Sequence, residues 1–211
     1  MVARARELAA RPGRALLGIA GAPGSGKSTL AAHLVAAVPG AVQVPMDGFH
    51  LADAALDRLG RRARKGAPDT FDAAGYLALL RRLRAAEPAA VWAPEFDRHL
   101  EQPVAGAIEV PPTAPLVVTE GNYLLLAEQP WPAVAAELDE VWFCDLREEL
   151  RVQRLVARHV RFGKEPAAAA EWVARVDGPN ADRVRASRDR ASLVLPSPVL
   201  EQVSMPDRSL T

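Results

Sequence analysis

"ALLGIAGAPGSGKSTLAAHLVAAV", residues 15–38, decides the fold. Its first six residues are apolar without alternation, which suits a short strand buried on both faces. Residues 27–38, "KSTLAAHLVAAV", read as a helix stopped by Pro39 and Gly40. Between them "GAPGSGKST", residues 21–29, matches G-x-x-x-x-G-K-[ST] with the strand before it and the helix after it that the motif demands. Glycines at 21, 24 and 26 let the loop formed by Gly21, Ala22, Pro23, Gly24, Ser25 and Gly26 curl its N–H groups onto a polyphosphate. The helix start adds its positive dipole end. Lys27 is then the group that reaches the β- and γ-phosphates, and Ser28, followed by Thr29, supplies a hydroxyl for Mg²⁺.

Outward from this stretch, strand and helix signals alternate, as in a mostly parallel sheet covered on both faces. Strands are expected at residues 41–46, 115–120, 140–145 and 192–195. Helices are expected at 72–86, with Asp72 as N-cap, at 147–162, and at 166–176 with Pro166 in first position. The tail from Pro196 is expected to be loose. Two stretches rich in charge, Gly and Pro, about 58–71 and 95–114, read as loops or a flap over one end of the sheet. The expectation is an α/β P-loop domain spanning 1–211, three-layer, with a helical lid about 154–170.

Composition narrows the function classes. Apolar residues make up 49% and charged residues 25%, ordinary values for a globular chain. Acidic and basic residues balance at 26 each, which argues against general binding to nucleic acid or a membrane surface, since both require a basic excess. Cys144 is the one cysteine, so no internal disulfide forms and a cytoplasmic setting is expected, with the thiol itself buried. No run approaches the ~20 apolar residues of a membrane span. A homodimer remains compatible with all of this.

Two acids stand at ends of apolar runs. "LVVTE" ends in Glu120, followed by Gly121 and Asn122, and is favoured over Asp145 as the second oxygen ligand for the metal, with Gly121 keeping space beside it. "VPMDGFHL", residues 44–51, places Asp47 after the second strand. A carboxylate there lies near the phosphate loop, at the carboxyl edge where ligands bind, and can take the proton of an attacking hydroxyl. The alternative is a turn aspartate before Gly48.

"GAPGSGKST", "MDGFH", "RKGAPDTFD" and "TEGNY", in this order, resemble the superfamily of uridine kinases, phosphoribulokinases and bacterial pantothenate kinases. Within it the chain looks most like the short bacterial proteins described as nucleoside/nucleotide kinase-like or fructose-transport-associated kinases, over roughly residues 15–195. The resemblance implies a five-stranded parallel sheet of order 2-3-1-4-5, ATP as donor and a small-molecule hydroxyl as acceptor. It implies Asp47 as base, with Gly48 leaving room for the acceptor. It places Asp97, Arg98, Glu120 and Asn122 toward the acceptor and Asn180 near the adenine; His50 either contacts the acceptor or caps the next helix, and Arg64 and Lys65 either bind the acceptor or belong to a solvated basic loop. The residues after Arg98 depart from the nucleoside-contact pattern, which points away from uridine itself. Arg151, Arg154, Arg158 and Arg161 share one helix face. Arg158 and Arg161 align with the family's lid arginines, whereas Arg151 reads as a solvated surface residue. A pantothenate-type kinase is one alternative. A P-loop switch or metallochaperone is another, but it expects an N-K-x-D stretch that the chain lacks, and it leaves Asp47 without a role.

Overall fold

Seven consecutive residues, Ala15–Gly21, form the buried strand β1 of the computed structural model, which describes residues 1–204. Before it lies helix α1 (Val2–Ala9) and after it α2 (Lys27–Ala37). The chain continues through β2 (Val42–Pro45), α3 (Asp53–Arg58), α4 (Ala73–Ala85), β3 (Val91–Asp97) and β4 (Gln102–Val110). Then come β5 (Leu116–Gly121), α5 (Trp131–Ala136), β6 (Glu140–Asp145) and α6 (Glu148–Arg161). The last elements are α7 (Pro166–Trp172), α8 (Gly178–Arg185), β7 (Leu193–Pro196) and α9 (Ser197–Ser204).

Five strands make one parallel sheet, β2-β5-β1-β6-β7. The expected string 2-3-1-4-5 differs from this chain numbering because β3 and β4 intervene as a separate antiparallel hairpin. Counted over the sheet strands alone, the two orders coincide. The side chains of β1 alternate as a strand requires. Leu16 and Ala20 enter the core shared with Tyr76, Leu80 and Leu83 of α4, while Leu17 and Ile19 enter the core shared with Leu30 and Leu34 of α2. Two apolar layers, one on each face, leave the carboxyl edge of the sheet as the place where polar loops gather.

Several expectations are corrected here. The 95–114 stretch is largely strand: β3 and β4 pair from Val91 opposite Val110 to Asp97 opposite Gln102, with a register shift between Ala93 and Glu95. The start of the tail is helix α9, whose Leu200 is buried in the α2-side core; the rest of the tail lies outside the described residues. The helix expected over 166–176 breaks into α7 and a π-turn, Val173–Asp177, before α8. Asp72 caps α4 by accepting from the Gly75 N–H at 2.8 Å. Cys144 is buried, and burial pushes its thiol up to about 12. Among the described residues no helix is long and apolar enough to cross a membrane.

Candidate active site

The loop between β1 and α2 lies at the carboxyl edge, with Gly26 in left-handed backbone (φ 91°) at the N-cap of α2. Gly24 is also left-handed (φ +83°), and a Cβ there would come within 2.9 Å of the Arg151 carbonyl, so only glycine fits. Lys27 is buried and donates to the Ala22 carbonyl at 3.1 Å and to Asn122 Oδ1 at 2.7 Å. Ser28 Oγ donates to Glu120 Oε1 at 2.8 Å. The Ser25 hydroxyl is buried with no partner among the described residues.

Burial governs the charges of this group. It raises the pKa of Glu120, assisted by Asp47, while Lys27 and the Ser28 hydroxyl oppose it. Burial lowers the pKa of Lys27, with Glu120 and Asp47 opposing. Each charge therefore helps keep the other ionised. The Ser28 and Glu120 oxygens are hard donors that fit Mg²⁺, which prefers one or two protein oxygens with the remainder from phosphates and water. Among the described residues no cluster of three or more His, Cys, Asp or Glu side chains that could hold a metal occurs. Asp145, the rival acid, is engaged by Arg188 Nε at 2.9 Å.

Asp47 follows β2 in a single 3₁₀ turn, Met46–Phe49, and its carboxylate faces Arg98 Nη2 at 3.4 Å. Both line a cavity of about 420 Å³ whose wall includes His50, Lys65, Asn122 and Arg158. The space expected beside the glycines is filled by protein. A Cβ on Gly48 would lie 2.3 Å from the Pro94 carbonyl, and one on Gly121 would lie 2.6 Å from the Met46 sulfur. Gly48 thus admits the hairpin backbone rather than an acceptor, and this close approach brings the hairpin onto the sheet edge.

The hairpin in turn delivers Arg98. Asp97 is spent on the turn, accepting from the N–H groups of His99 (2.7 Å) and Leu100 (2.9 Å), and these bonds hold its pKa down. It does not line the cavity that holds Asp47. Lys65 donates to Asp53 Oδ1 at 2.7 Å and to the Glu101 carbonyl at 2.6 Å, and lies 5.3 Å from the centre of the Phe96 ring. Arg64 pairs with Asp69 at 2.7 Å and stays outside the cavity. Sequence patterning alone did not single out Asp53 as the anchor of Lys65.

His50 packs against the rings of Phe71 (4.0 Å between centroids) and Phe96 (4.9 Å), and its Nδ1 is buried without a partner among the described residues. Burial is the first cause that lowers its pKa to about 4; Lys65 and Arg98 add to this, while Asp47 and Asp53 oppose it. The unfolded chain binds this proton near pH 6.5 and the folded chain near pH 4, so the unfolded state carries more protons in between. The stability that neutral His50 contributes is present above pH 6.5 and is lost as pH falls toward 4, up to roughly 3 kcal/mol. His50→Gln should flatten this part of the stability profile. Urea unfolding at pH 7, 5.5 and 4.5 checks it, and an equal slope in both proteins would exclude His50 as the source.

On α6 the arginines diverge. Arg154 and Arg158 line a second cavity, about 470 Å³, together with Gly24, Lys27, Ser28 and Arg98. Arg158 has an exposed surface, yet the protein around its guanidinium desolvates it, and Arg98 adds a like charge; both lower its pKa. Arg161 is exposed and lines neither cavity. Arg154 was visible to sequence reasoning only as a member of the helix face. Arg151, expected on a solvated surface, is buried at 2% exposure and donates to the Pro23 carbonyl. Asn180 is buried in α8, where it donates to the Val176 carbonyl at 3.0 Å and lines neither cavity.

Comparison with known proteins places this geometry among kinases. No family model matches the chain. The ATP-dependent kinase-like protein notR' of Aspergillus versicolor is 39% identical over 153 residues, 68% of this chain and 88% of that protein. A protein of Schizosaccharomyces pombe, provisionally named a uridine kinase, is 34% identical over 96% of this chain and 89% of its own length. A solved structure from Silicibacter, provisionally titled a fructose transport system kinase, superposes with a TM-score of 0.80 at 39% identity, covering 89% of this chain and 92% of that one. Relatives this similar over nearly their whole length settle the family. The chain belongs to the P-loop kinases of the uridine kinase type.

Proposed function

We propose that this protein transfers the γ-phosphate of ATP to a hydroxyl of a small metabolite, with a sugar or a nucleoside as the acceptor class. One observation carries the reading: two adjoining cavities share Arg98 and Arg158, one lined by the phosphate loop and the other by Asp47. A donor phosphate held by Lys27 and the loop N–H groups then faces an acceptor held beside a carboxylate. Asp47 acts as base for the acceptor hydroxyl. Arg98 and Arg158 neutralise charge on the transferring group, and Asn122 fixes the Lys27 ammonium. His50 and Lys65 border the acceptor. Ser28 and Glu120 would hold Mg²⁺, which would supply charge neutralisation to the nucleotide phosphates. The hairpin and the 154–170 segment close over the reacting groups and exclude water.

The test is ADP release from ATP and Mg²⁺ across a panel of sugars, nucleosides and pantothenate. Acceptor-dependent release with one class supports the reading. Release at the same rate with every acceptor and with none would replace it with simple hydrolysis. Within an active assay, Arg158→Ala should lower kcat by about tenfold to a hundredfold, as expected for one charge-assisted hydrogen bond. Arg161→Ala should change it little, because that side chain lines neither cavity. Equal losses from the two would show that the helix face acts as a whole.

A further inference from the structure

Carbonyls of the phosphate loop, like other buried backbone groups, need partners, and that of Ala22 accepts from Lys27. For Pro23 that partner is Arg151, whose Nη1 donates to the Pro23 carbonyl at 2.9 Å within the protein interior. The guanidinium plane is fixed by Glu148 of the same helix, which accepts from Nε at 2.8 Å and from Nη2 at 2.6 Å. Glu148 is itself held by Arg185 of α8. The Arg151 backbone carbonyl faces Gly24 so closely that no Cβ fits there. One and two turns further along the same helix, Arg154 and Arg158 enter the cavity that holds Lys27 and Ser28. Arg151 lines neither cavity, so its contribution is indirect.

We propose that Arg151 is a positioning residue for phosphoryl transfer, pinning the Pro23–Gly24 peptide outward and setting the register between the phosphate loop and the arginines of α6. The inference rests on the reading of this loop as the ATP-phosphate site. Left-handed Gly24 is the residue type at which a neighbouring peptide rotates most easily. With its carbonyl unpartnered, that peptide can turn an oxygen toward the polyphosphate in place of the Gly24 N–H. An attraction then becomes a repulsion. The Arg151 hydrogen bond blocks that rotation, which a solvated surface arginine would not do.

Calorimetric binding of Mg·ATP to the full chain tests this with Arg151→Met, Arg151→Lys and Glu148→Gln, beside thermal unfolding of each. Arg151→Met keeps apolar volume and should weaken ATP binding on the order of tenfold or more at a temperature where circular dichroism shows it folded. Arg151→Lys retains a donor for the Pro23 carbonyl and should recover most of that loss. Glu148→Gln should weaken binding severalfold through the released guanidinium. A folded Arg151→Met with wild-type ATP affinity and only a lowered Tm overturns the inference in favour of a structural role. Where Arg151→Met fails to fold, unchanged affinity in Glu148→Gln overturns it instead. Wild-type protein that binds no ATP takes down the donor reading, and this inference with it, which separates that failure from the other two.

Discussion

Asp47→Asn is expected to leave ATP binding near normal and to lower acceptor-dependent turnover by on the order of 10²–10⁴-fold, roughly 3 to 5 kcal/mol of barrier. The substitution keeps shape and removes the proton acceptor. Asp47 lies past the phosphate loop, in the 3₁₀ turn after β2, and it shares a cavity with His50 and Lys65 rather than the one lined by Lys27 and Ser28. The loss therefore belongs in kcat, with the nucleotide Kd little changed. Asparagine suits a turn as well as aspartate does, so a purely structural Asp47 predicts no loss. Calorimetric ATP binding measured beside ADP release with an accepted substrate distinguishes the cases. Near-normal turnover would remove the base assignment. The Arg98 contact is one complication to track, because asparagine also gives up the ion pair at 3.4 Å. That pair is partly exposed, so its loss amounts to no more than about 1 kcal/mol and cannot account for a hundredfold effect.

Lys27→Ala carries the second large expectation, a fall in turnover on the order of 10²–10³-fold, the scale of removing one preorganised donor from a developing charge. The ammonium is buried and held by the Ala22 carbonyl and by Asn122, so it is preorganised for the phosphate contact proposed above. The fold should survive, since the remaining buried face of α2 is apolar, through Leu30, Ala31 and Leu34. Circular dichroism checks the fold and ADP release checks turnover. A folded variant with unchanged release would exclude phosphoryl transfer at this loop.

What the sequence disclosed depended on how local the physics was. The phosphate loop and the strands beside it were legible because doubly buried strands leave wholly apolar runs and the loop needs glycines at fixed offsets. Residues 141–144, the buried centre of the strand Glu140–Asp145, are such a run. The hairpin was hidden because Pro94, Pro103 and Gly106 interrupt it and much of β4 faces water, so neither alternation nor continuous apolarity marks it. Arg151 was misread for a different reason. Spacing along α6 shows that four arginines share a face, but not that a loop carbonyl lies over the first of them. Gly48 taught the same lesson, since what fills the space beside it comes from Pro94, far along the chain. The environments of Asp97 and Asn180 likewise come from backbone groups that a motif match does not see.

The position of β1 in the middle of the sheet bears on how the chain is made. Ala15 pairs with Leu116, about a hundred residues later, and Leu17 with Glu140. Neither neighbour of the glycine-loop strand has left the ribosome when that strand itself emerges. A wholly apolar strand must wait with both edges open until β5 and β6 arrive, and such distant parallel pairings form slowly. During that interval the nascent chain depends on α1 and α2 to cover one face of β1, with the other face and both edges available for wrong partners. The most locally encoded motif in the sequence thus depends for its native pairing on strands made a hundred or so residues later.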